Sequence, residues 1–561
     1  MWEALGEPVD LLVIGGGING AGIARDAARR GLKVALVEMK DLAYGTSSRS
    51  SKLVHGGLRY LEQLEFSLVF EAVSERRILL DIAPHLVNPL GFLFPVYKES
   101  RRRLGTVNVG MWLYEGLSLF RSPKRHRTLK SVEVADEEPA LRREQLSGAP
   151  LYYDCSTDDA RLTLESALDA AKHGATIATW AKAVSFLKDE NGRIRGVVVK
   201  DQFTGDLKEV QAHTVVNATG PWTDRTIAMS RDSSGTLLRP TKGVHIVVDH
   251  TVIPVNNAVV CFHPDDKRVL FAIPWGDRTY LGTTDTDYDG DPADVVATRE
   301  DVDYLIAAAD HYFPDHEIRH EDVICTWAGL RPLIAPDSED GVSESQVSRE
   351  HQIIVGPDGL ITIAGGKLTT YRRMSGEVVD TVVNMLRLAE HLPVDLQEAR
   401  TDLHPLPGAV GWPPDDNHDR VTREVLSAAG EENLNAASAR LLADTYGMQA
   451  IQIGRRIHKR PTLGQPIIDG RPEIWAQLEW AVEEELAATV TDFMVQRTQL
   501  FYRDFDQGLG VAEEVARRMG KMLNWSEDDI LRNVEQYCHD VTLSRRWRTE
   551  SPSQGSGIDP T

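Results

Sequence analysis

Residues 10–38 constrain this chain more than any other stretch. Asp10-Leu11-Leu12-Val13-Ile14 is a short apolar run that leads directly into Gly15-Gly16-Gly17-Ile18-Asn19-Gly20. A helical stretch follows, Ala21 to Gly31, then a second apolar run, Lys33 to Val37, which ends at Glu38. Strand, glycine turn, helix, strand, acid is a dinucleotide-binding fingerprint in the context it requires, and it predicts an α/β fold. Gly15 permits the tight turn, Gly17 lets the backbone approach a pyrophosphate, and Gly20 lets the helix pack on the strand. The helix N-terminus presents N–H groups and a positive dipole end to phosphates, and Ile18 and Asn19 of the turn before it are further candidate cofactor contacts. Glu38 lies where an acid accepts both ribose hydroxyls of an adenosine.

At 561 residues the chain is too long for one ordinary core, so two or three domains are expected. A net charge of −22 argues against nucleic acid as a partner. The four cysteines, Cys155, Cys261, Cys325 and Cys538, are far apart and show no metal-ligand spacing. They read as reduced thiols in a cytoplasmic protein, and no metal site is expected. Met1 to Pro8 is short, carries acids and lacks an apolar core, so no secretory signal is expected. No run approaches the roughly 18 apolar residues of a membrane-spanning helix.

Helical periodicity returns at Ser67–Ala83 and Asp158–His173, with a strand at Gly91–Tyr97 between them. Residues 175–219 read as a β-meander, with turns at Asn191-Gly192 and Thr204-Gly205. Residues 240–285 read as antiparallel sheet and Asp301–Tyr312 as helix. Strands at 352–355 and 360–364 precede a helix over 370–388. The Pro-, Gly- and Asp-rich stretch 391–417 reads as a linker, residues 418–545 as a helical domain, and 549–561 as a disordered tail.

Four constellations carry chemistry. The loop Gly45–Tyr60 is dense in hydroxyls and glycines and starts where ligands lie in open α/β sheets. Thr46, Ser47 and Ser51, with Leu53, suit a pyrophosphate and ribityl chain. Gly56-Gly57 would let the backbone approach a flat ring, with His55 beside it as a further cofactor contact, and Arg59 and Tyr60 would bind an anion beyond it. The second constellation, Val216–Trp222, is another glycine turn at a strand end. With Thr219, Gly220 and Trp222 it points to a flavin rather than a nicotinamide. The third is Gly329–Leu333, which carries Arg331. The fourth is Gly365–Arg372, with Gly366, Lys367, Leu368 and Thr369 at a strand-to-helix junction. Amides and a lysine there are poised for the negative charge that develops near N1 and O2 of a flavin on reduction. Taken singly, Arg331 also reads as a surface ion pair and Lys367 as a solvated helix start.

Residues 98–130 reverse the overall charge, with nine basic residues against Glu99 and Glu115. Between the basic clusters lies Leu104–Phe120, with Met111, Trp112 and Tyr114. Two readings have similar weight: a docking face for an anionic membrane, and a core helix with solvated ends.

The strings IGGGINGAGIARDAARRG, TSSRSSKLVHGGLRYLE, VNATGPW, KGVHIVV, IPW followed by GTTD, GLRPL and GGKLTTYR occur in order over roughly residues 9 to 390. In this the chain resembles the FAD-dependent, quinone-linked respiratory glycerol-3-phosphate dehydrogenases. The resemblance implies a glutathione-reductase-like FAD-binding Rossmann domain (residues 1–95, 150–225 and 340–390). It implies an antiparallel β-rich substrate domain (96–149 and 226–339) and an all-helical C-terminal domain. It implies non-covalent FAD, oxidation of sn-glycerol 3-phosphate to dihydroxyacetone phosphate, and a membrane quinone as acceptor. Such proteins are peripheral or monotopic at the inner face of the cell membrane and often homodimers. Arg59 and Arg331 are then the choices for substrate contact, assisted by Tyr60, with Thr283, Thr284 and Asp285 lining the pocket. His55 and His245 are alternative bases, and Lys367 stabilises the flavin. The competing readings are a glycerol-3-phosphate oxidase that passes electrons to oxygen, an amine or amino-acid oxidase, and a non-catalytic flavoprotein.

Overall fold

The computed structural model describes residues 2–57, 65–118, 122–231, 235–335, 351–393 and 395–550. Arg59, Tyr60, Phe120 and the segment 551–561 lie outside the described residues. Five strands form the parallel part of the first sheet, in the order Ile361–Gly365, Leu207–Asn217, Val9–Ile14, Val34–Val37, Thr176–Ala178. His351–Val355 adds antiparallel at one edge. Strands covered on both faces have no polar side, and Leu11, Leu12 and Val13 are all fully buried. Leu207–Asn217 serves two neighbourhoods. Its first half completes the expected meander with Ala181–Lys188 and Ile194–Asp201, and residues 212–217 run beside Val9–Ile14. The meander turns through Gly192 (φ 76°) and Gly205 (φ 82°), left-handed conformations that glycine adopts without strain. Helix Ile18–Arg29 packs against both Asp159–Lys172 and Tyr371–Leu388.

The second sheet is largely antiparallel. Leu238–Asp249 lies between Val323–Ile334 and Arg278–Gly282, followed by Val269–Trp275 and Ala258–Phe262. It extends through Asn88–Leu93 to the long strand Leu146–Ser156, which also pairs with Leu53–Val54, Val96–Tyr97 and Arg127–Lys130. Several of these strands fall inside segments that the sequence placed with the first sheet; hydrogen bonding, not chain order, joins them to the second. The run expected as one strand over 91–97 starts at Asn88 and breaks after Leu93, ahead of Pro95, which has no N–H for a ladder.

Apart from a single 3-10 turn at Pro407–Ala409, residues 395–417 are irregular, as their Pro and Gly content dictates, yet they are fastened to the first sheet's helices. Leu406 is fully buried and its amide donates to Ile82 O at 2.8 Å. The Gly408 amide donates to Glu165 at 3.1 Å. Glu165 also meets His85 at 3.0 Å, and Arg161, one helical turn before it, reaches Glu485 of the helical unit at 2.6 Å. From His418 the chain is helical to Arg545. Its helices start at side-chain caps where the sequence offers them: Asn417, Asn435 and Ser526 each accept the amide three residues on. Gly454 brings two of these helices together, because a Cβ there would lie 2.9 Å from Val425 O. Among the described residues no helix is long and apolar enough to cross a membrane.

Candidate active site

One cavity of about 1260 Å³ runs between the two sheets. Its first wall is the opening fingerprint. Gly15 has φ 110°, and a Cβ there would lie 2.5 Å from Ala218 O, so the first glycine turn backs directly onto the second. Gly20 lies outside the lining; a Cβ on it would meet Gly15 O at 1.8 Å, so it sets how closely helix and turn approach. Asn19 Oδ1 is buried with no hydrogen-bond partner among the described residues. Glu38, almost fully buried, accepts from Gly16 N at 2.6 Å and Lys40 N at 3.0 Å. Burial raises its carboxyl pKa, and those two amides oppose the shift.

The hydroxyl loop closes on this wall. Ser47 Oγ accepts the Ile18 amide at 2.9 Å, and Thr46 Oγ1 donates to Leu330 O at 2.6 Å, beside Arg331. Gly45 lies against the Trp222 ring, which a Cβ would approach to 3.1 Å. Thr219 Oγ1 donates to Asn217 at 2.7 Å, which fixes the second turn. Thr369 Oγ1 lies 3.2 Å from His55 N and 3.3 Å from His55 O, and so ties the His55 loop to the Lys367 turn. Gly366 adopts φ 87°, and a Cβ there would collide with Met374.

Glu38, Gly15, Gly17, Ile18, Asn19, Thr46, Ser47, Ser51, Leu53, His55, Thr219, Gly220, Trp222, Thr283, Arg331, Gly366, Lys367, Leu368 and Thr369 all line this cavity. Besides Gly20, three expected residues sit elsewhere. Gly56 does not face the cavity; its missing side chain makes room for Val73 and the Tyr114 hydroxyl, to which its amide donates at 3.0 Å. Its neighbour Gly57 (φ 73°) lines the cavity instead. Thr284 is buried, its hydroxyl accepting the Val244 amide at 3.0 Å. His245 is behind the wall, Nε2 2.9 Å from Ser51 Oγ and its ring stacked on Trp327 at 4.7 Å. A Cβ on Gly282 would lie 2.0 Å from that ring, so the opposing strand must carry a glycine there.

Arg331 is held rather than loose. It donates to Asp285 at 3.0 Å, to Thr283 Oγ1 at 3.1 Å and to Thr284 O at 3.3 Å, with 23% of its side chain exposed. The sequence did not flag Asp154, which lines the cavity, ion-pairs with buried Arg76 and accepts from Tyr114 at 2.8 Å. An aspartate inside the apolar strand Tyr152-Tyr153-Asp154-Cys155 was its only signal. Phe92, Tyr152 and Phe271 of the second sheet also face the cavity.

Burial, with Arg331 and Lys52 nearby, holds the His245 pKa well below its ordinary 6.5. The unfolded chain therefore takes up a proton at this histidine below pH 6.5 that the folded chain refuses, so stability falls as pH drops through that range. This group contributes a slope that rises from about half of 1.4 kcal/mol per pH unit at pH 6.5 toward that full one-proton value below it. His245→Asn is expected to flatten the slope in urea melts between pH 5 and 6.5; an unchanged slope would assign the acid sensitivity to other groups.

The fit to FAD is physical: an acid at the strand end, two abutting glycine turns, a helix N-terminus, an orphaned Asn19 oxygen, hydroxyls and, among other cations, Arg331 and Lys367 share one cavity. Comparison with known proteins agrees. The profile of the FAD dependent oxidoreductases matches residues 10–372, and that of the C-terminal domain of alpha-glycerophosphate oxidase matches 399–530. The aerobic glycerol-3-phosphate dehydrogenase of Staphylococcus haemolyticus is 38% identical over 93% of this chain and 92% of its own. The crystal structure of the glycerol-3-phosphate dehydrogenase from Bacillus halodurans complexed with FAD is 34% identical and superposes with TM-score 0.80, covering 98% of both chains. L-alpha-glycerophosphate oxidase from Mycoplasma pneumoniae, 17% identical with TM-score 0.52 over 67% of this chain and 95% of its own, shares the fold. The chain thus belongs to the FAD-dependent oxidoreductases and, within them, to the aerobic glycerol-3-phosphate dehydrogenases.

Proposed function

We propose that this protein oxidises sn-glycerol 3-phosphate to dihydroxyacetone phosphate and delivers the electrons to a quinone in the membrane. The observation that carries the substrate reading is the placement of Arg331 and Lys367 on the same cavity as the glycine turns. FAD, held by the glycine turns, the Glu38 loop and Ser47, would supply the hydride acceptor for the C2 hydrogen. Arg331, oriented by Thr283 and Asp285, binds the substrate phosphate, because a guanidinium matches phosphate oxygens. Lys367 and the amides of its turn stabilise negative charge at the flavin. His55 lines the cavity and takes the C2 hydroxyl proton. His245, neutral and buried, holds Ser51 in place through their hydrogen bond. Arg59 and Tyr60 keep their assignment as substrate contacts.

The membrane part of the reading is supported by helix Leu104–Leu117. It buries Val107, Met111 and Tyr114 and exposes Val109, Trp112 and Leu113, with Phe66 and Phe70 exposed on the neighbouring helix. Basic residues flank that apolar face, as an anionic interface requires.

Anaerobic addition of glycerol 3-phosphate is expected to bleach the flavin absorbance; a spectrum that stays unchanged refutes the substrate assignment. In air, little peroxide is expected per turnover. Stoichiometric peroxide would make the protein an oxidase. Acid or heat is expected to release yellow flavin from the polypeptide, and colour that stays with the denatured chain would show a covalent link.

A further inference from the structure

The stretch Asp492 to Tyr502 belongs to the helical unit and lies outside the cavity wall, yet it reaches two of the loops that form that wall. Asp492–Arg497 is a π-helix, a form frequent at functional sites. Arg497 is fully buried, and its terminal nitrogens grip Asp41 at 2.6 and 3.0 Å. Asp41 follows Glu38 by three residues. Glu38, Lys40, Tyr44 and Gly45 of that loop line the cavity, while buried Asp41 does not. At the other end of the π-helix, Asp492 accepts from Trp180 Nε1 at 3.2 Å. The Trp180 amide donates to Lys40 O at 2.9 Å, and its ring lies 4.8 Å from the Lys40 ammonium. Two residues beyond Arg497, Gln499 donates to Asp158 at 2.6 Å. The adjacent Asp159 holds Ser50 and Lys52, on either side of Ser51.

A fully buried ion pair is weak evidence for stability, since apolar replacements of the same shape are often as stable. What a bidentate pair does supply is a fixed geometry. Here that geometry is passed to the loop that carries Glu38, and a binding loop is only as exact as the shell that supports it.

We infer that Asp492–Tyr502 is a cofactor clamp: through Asp41 and Trp180 it fixes from behind the loop that receives the adenosine end of FAD, and so sets how tightly FAD is retained. This rests on reading the Glu38 loop as the adenosine wall. Arg497 is thus a positioning residue, and the helical unit has a task besides packing.

The test is the dissociation constant of FAD from apoprotein, read by flavin fluorescence quenching, with ADP as a competing probe for the adenosine half. Arg497→Lys keeps the charge but loses the fork, and it is expected to weaken FAD and ADP alike by at least about tenfold. Trp180→Phe, a milder change that keeps the ring over Lys40, is expected to weaken both by about threefold. Ile453→Ala is the control: it loosens the helical core without touching either loop, and is expected to leave both constants within about twofold. Glu38→Gln tests the underlying reading and is expected to weaken ADP by at least about tenfold. If Glu38→Gln leaves ADP binding unchanged, the loop is not the adenosine wall and the clamp falls with it. If Glu38→Gln weakens binding but Arg497→Lys and Trp180→Phe do not, the clamp alone is wrong. It is equally wrong if Ile453→Ala weakens FAD as much as Arg497→Lys does. Should Arg497→Lys fail to fold, Trp180→Phe against Ile453→Ala decides.

Discussion

Arg331→Ala is expected to lower kcat/KM for glycerol 3-phosphate by about 10²- to 10³-fold, or roughly 3–4 kcal/mol of transition-state stabilisation. The magnitude follows from how the side chain is held. Thr283, the Thr284 carbonyl and Asp285 take three of its contacts, so the guanidinium meets its ligand without a search through rotamers. Most of the side chain is out of water, where a charge-assisted bond is strengthened. Arg331→Lys is expected to recover little, because an ammonium is a point charge and cannot hold this fork. Bound FAD per chain is expected to stay near the parent value, since the Glu38 loop and both glycine turns are untouched. Stopped-flow reduction with FAD-matched samples measures the effect. A kcat/KM equal to that of the parent would return Arg331 to the status of an ordinary ion pair with Asp285.

Replacing Arg103, Lys124 and Arg125 with Gln, together with Trp112→Ser, is expected to release the protein from anionic vesicles. Three charges near such a surface contribute about 1 kcal/mol each, so the loss of partitioning is on the order of 100-fold before the indole is counted. The structure narrows the choice of residues. Arg127 already pairs with Glu137 at 2.8 Å, and Arg101 and Arg102 line the cavity, so changing them would confound docking with chemistry. Arg103, Lys124 and Arg125 are exposed, and Trp112 is 57% exposed on the outer face of its helix. The net charge of −22 does not forbid docking, because charges more than about 10 Å from the surface are screened at moderate salt. Quinone reduction is expected to slow while reduction of a soluble dye continues. Unchanged co-sedimentation with vesicles would show that this helix face has another purpose.

Local signals were legible where one residue type has one physical use. The opening fingerprint, the meander turns at Gly192 and Gly205, and the onset of the helical unit after residue 417 follow from local signals that need no tertiary information. Pairing across the chain was not legible. Nothing in the sequence says that Asn88–Leu93 leaves its neighbours to join Ala258–Phe262, because the register is set by a partner about 170 residues away. Site residues divided the same way. Lys367 stands beside glycines that advertise a turn, Arg331 sits within strand Val323–Ile334 two residues after a glycine, and Asp154 and Arg76 meet only when a strand and a helix pack. Gly56 shows the limit of reading glycine as access to a ligand: here it is access for a tyrosine. His245 was visible as a histidine, but only its burial shows why it does not face the cavity.

The cluster of Glu165, His85, Arg161 and Glu485, with the Gly408 amide closing it, bears on how such a chain can change over generations. Neither of the two profile-matched regions holds all five groups: the first contributes three and the second two. Cutting between them would strand charges in an apolar interior, at a penalty of several kcal/mol per ion. An unrelated unit in place of the helical one is expected to leave His85, Arg161 and Glu165 buried without Glu485 and the Gly408 amide, so a substitution on one side of the cluster is expected to limit those tolerated on the other.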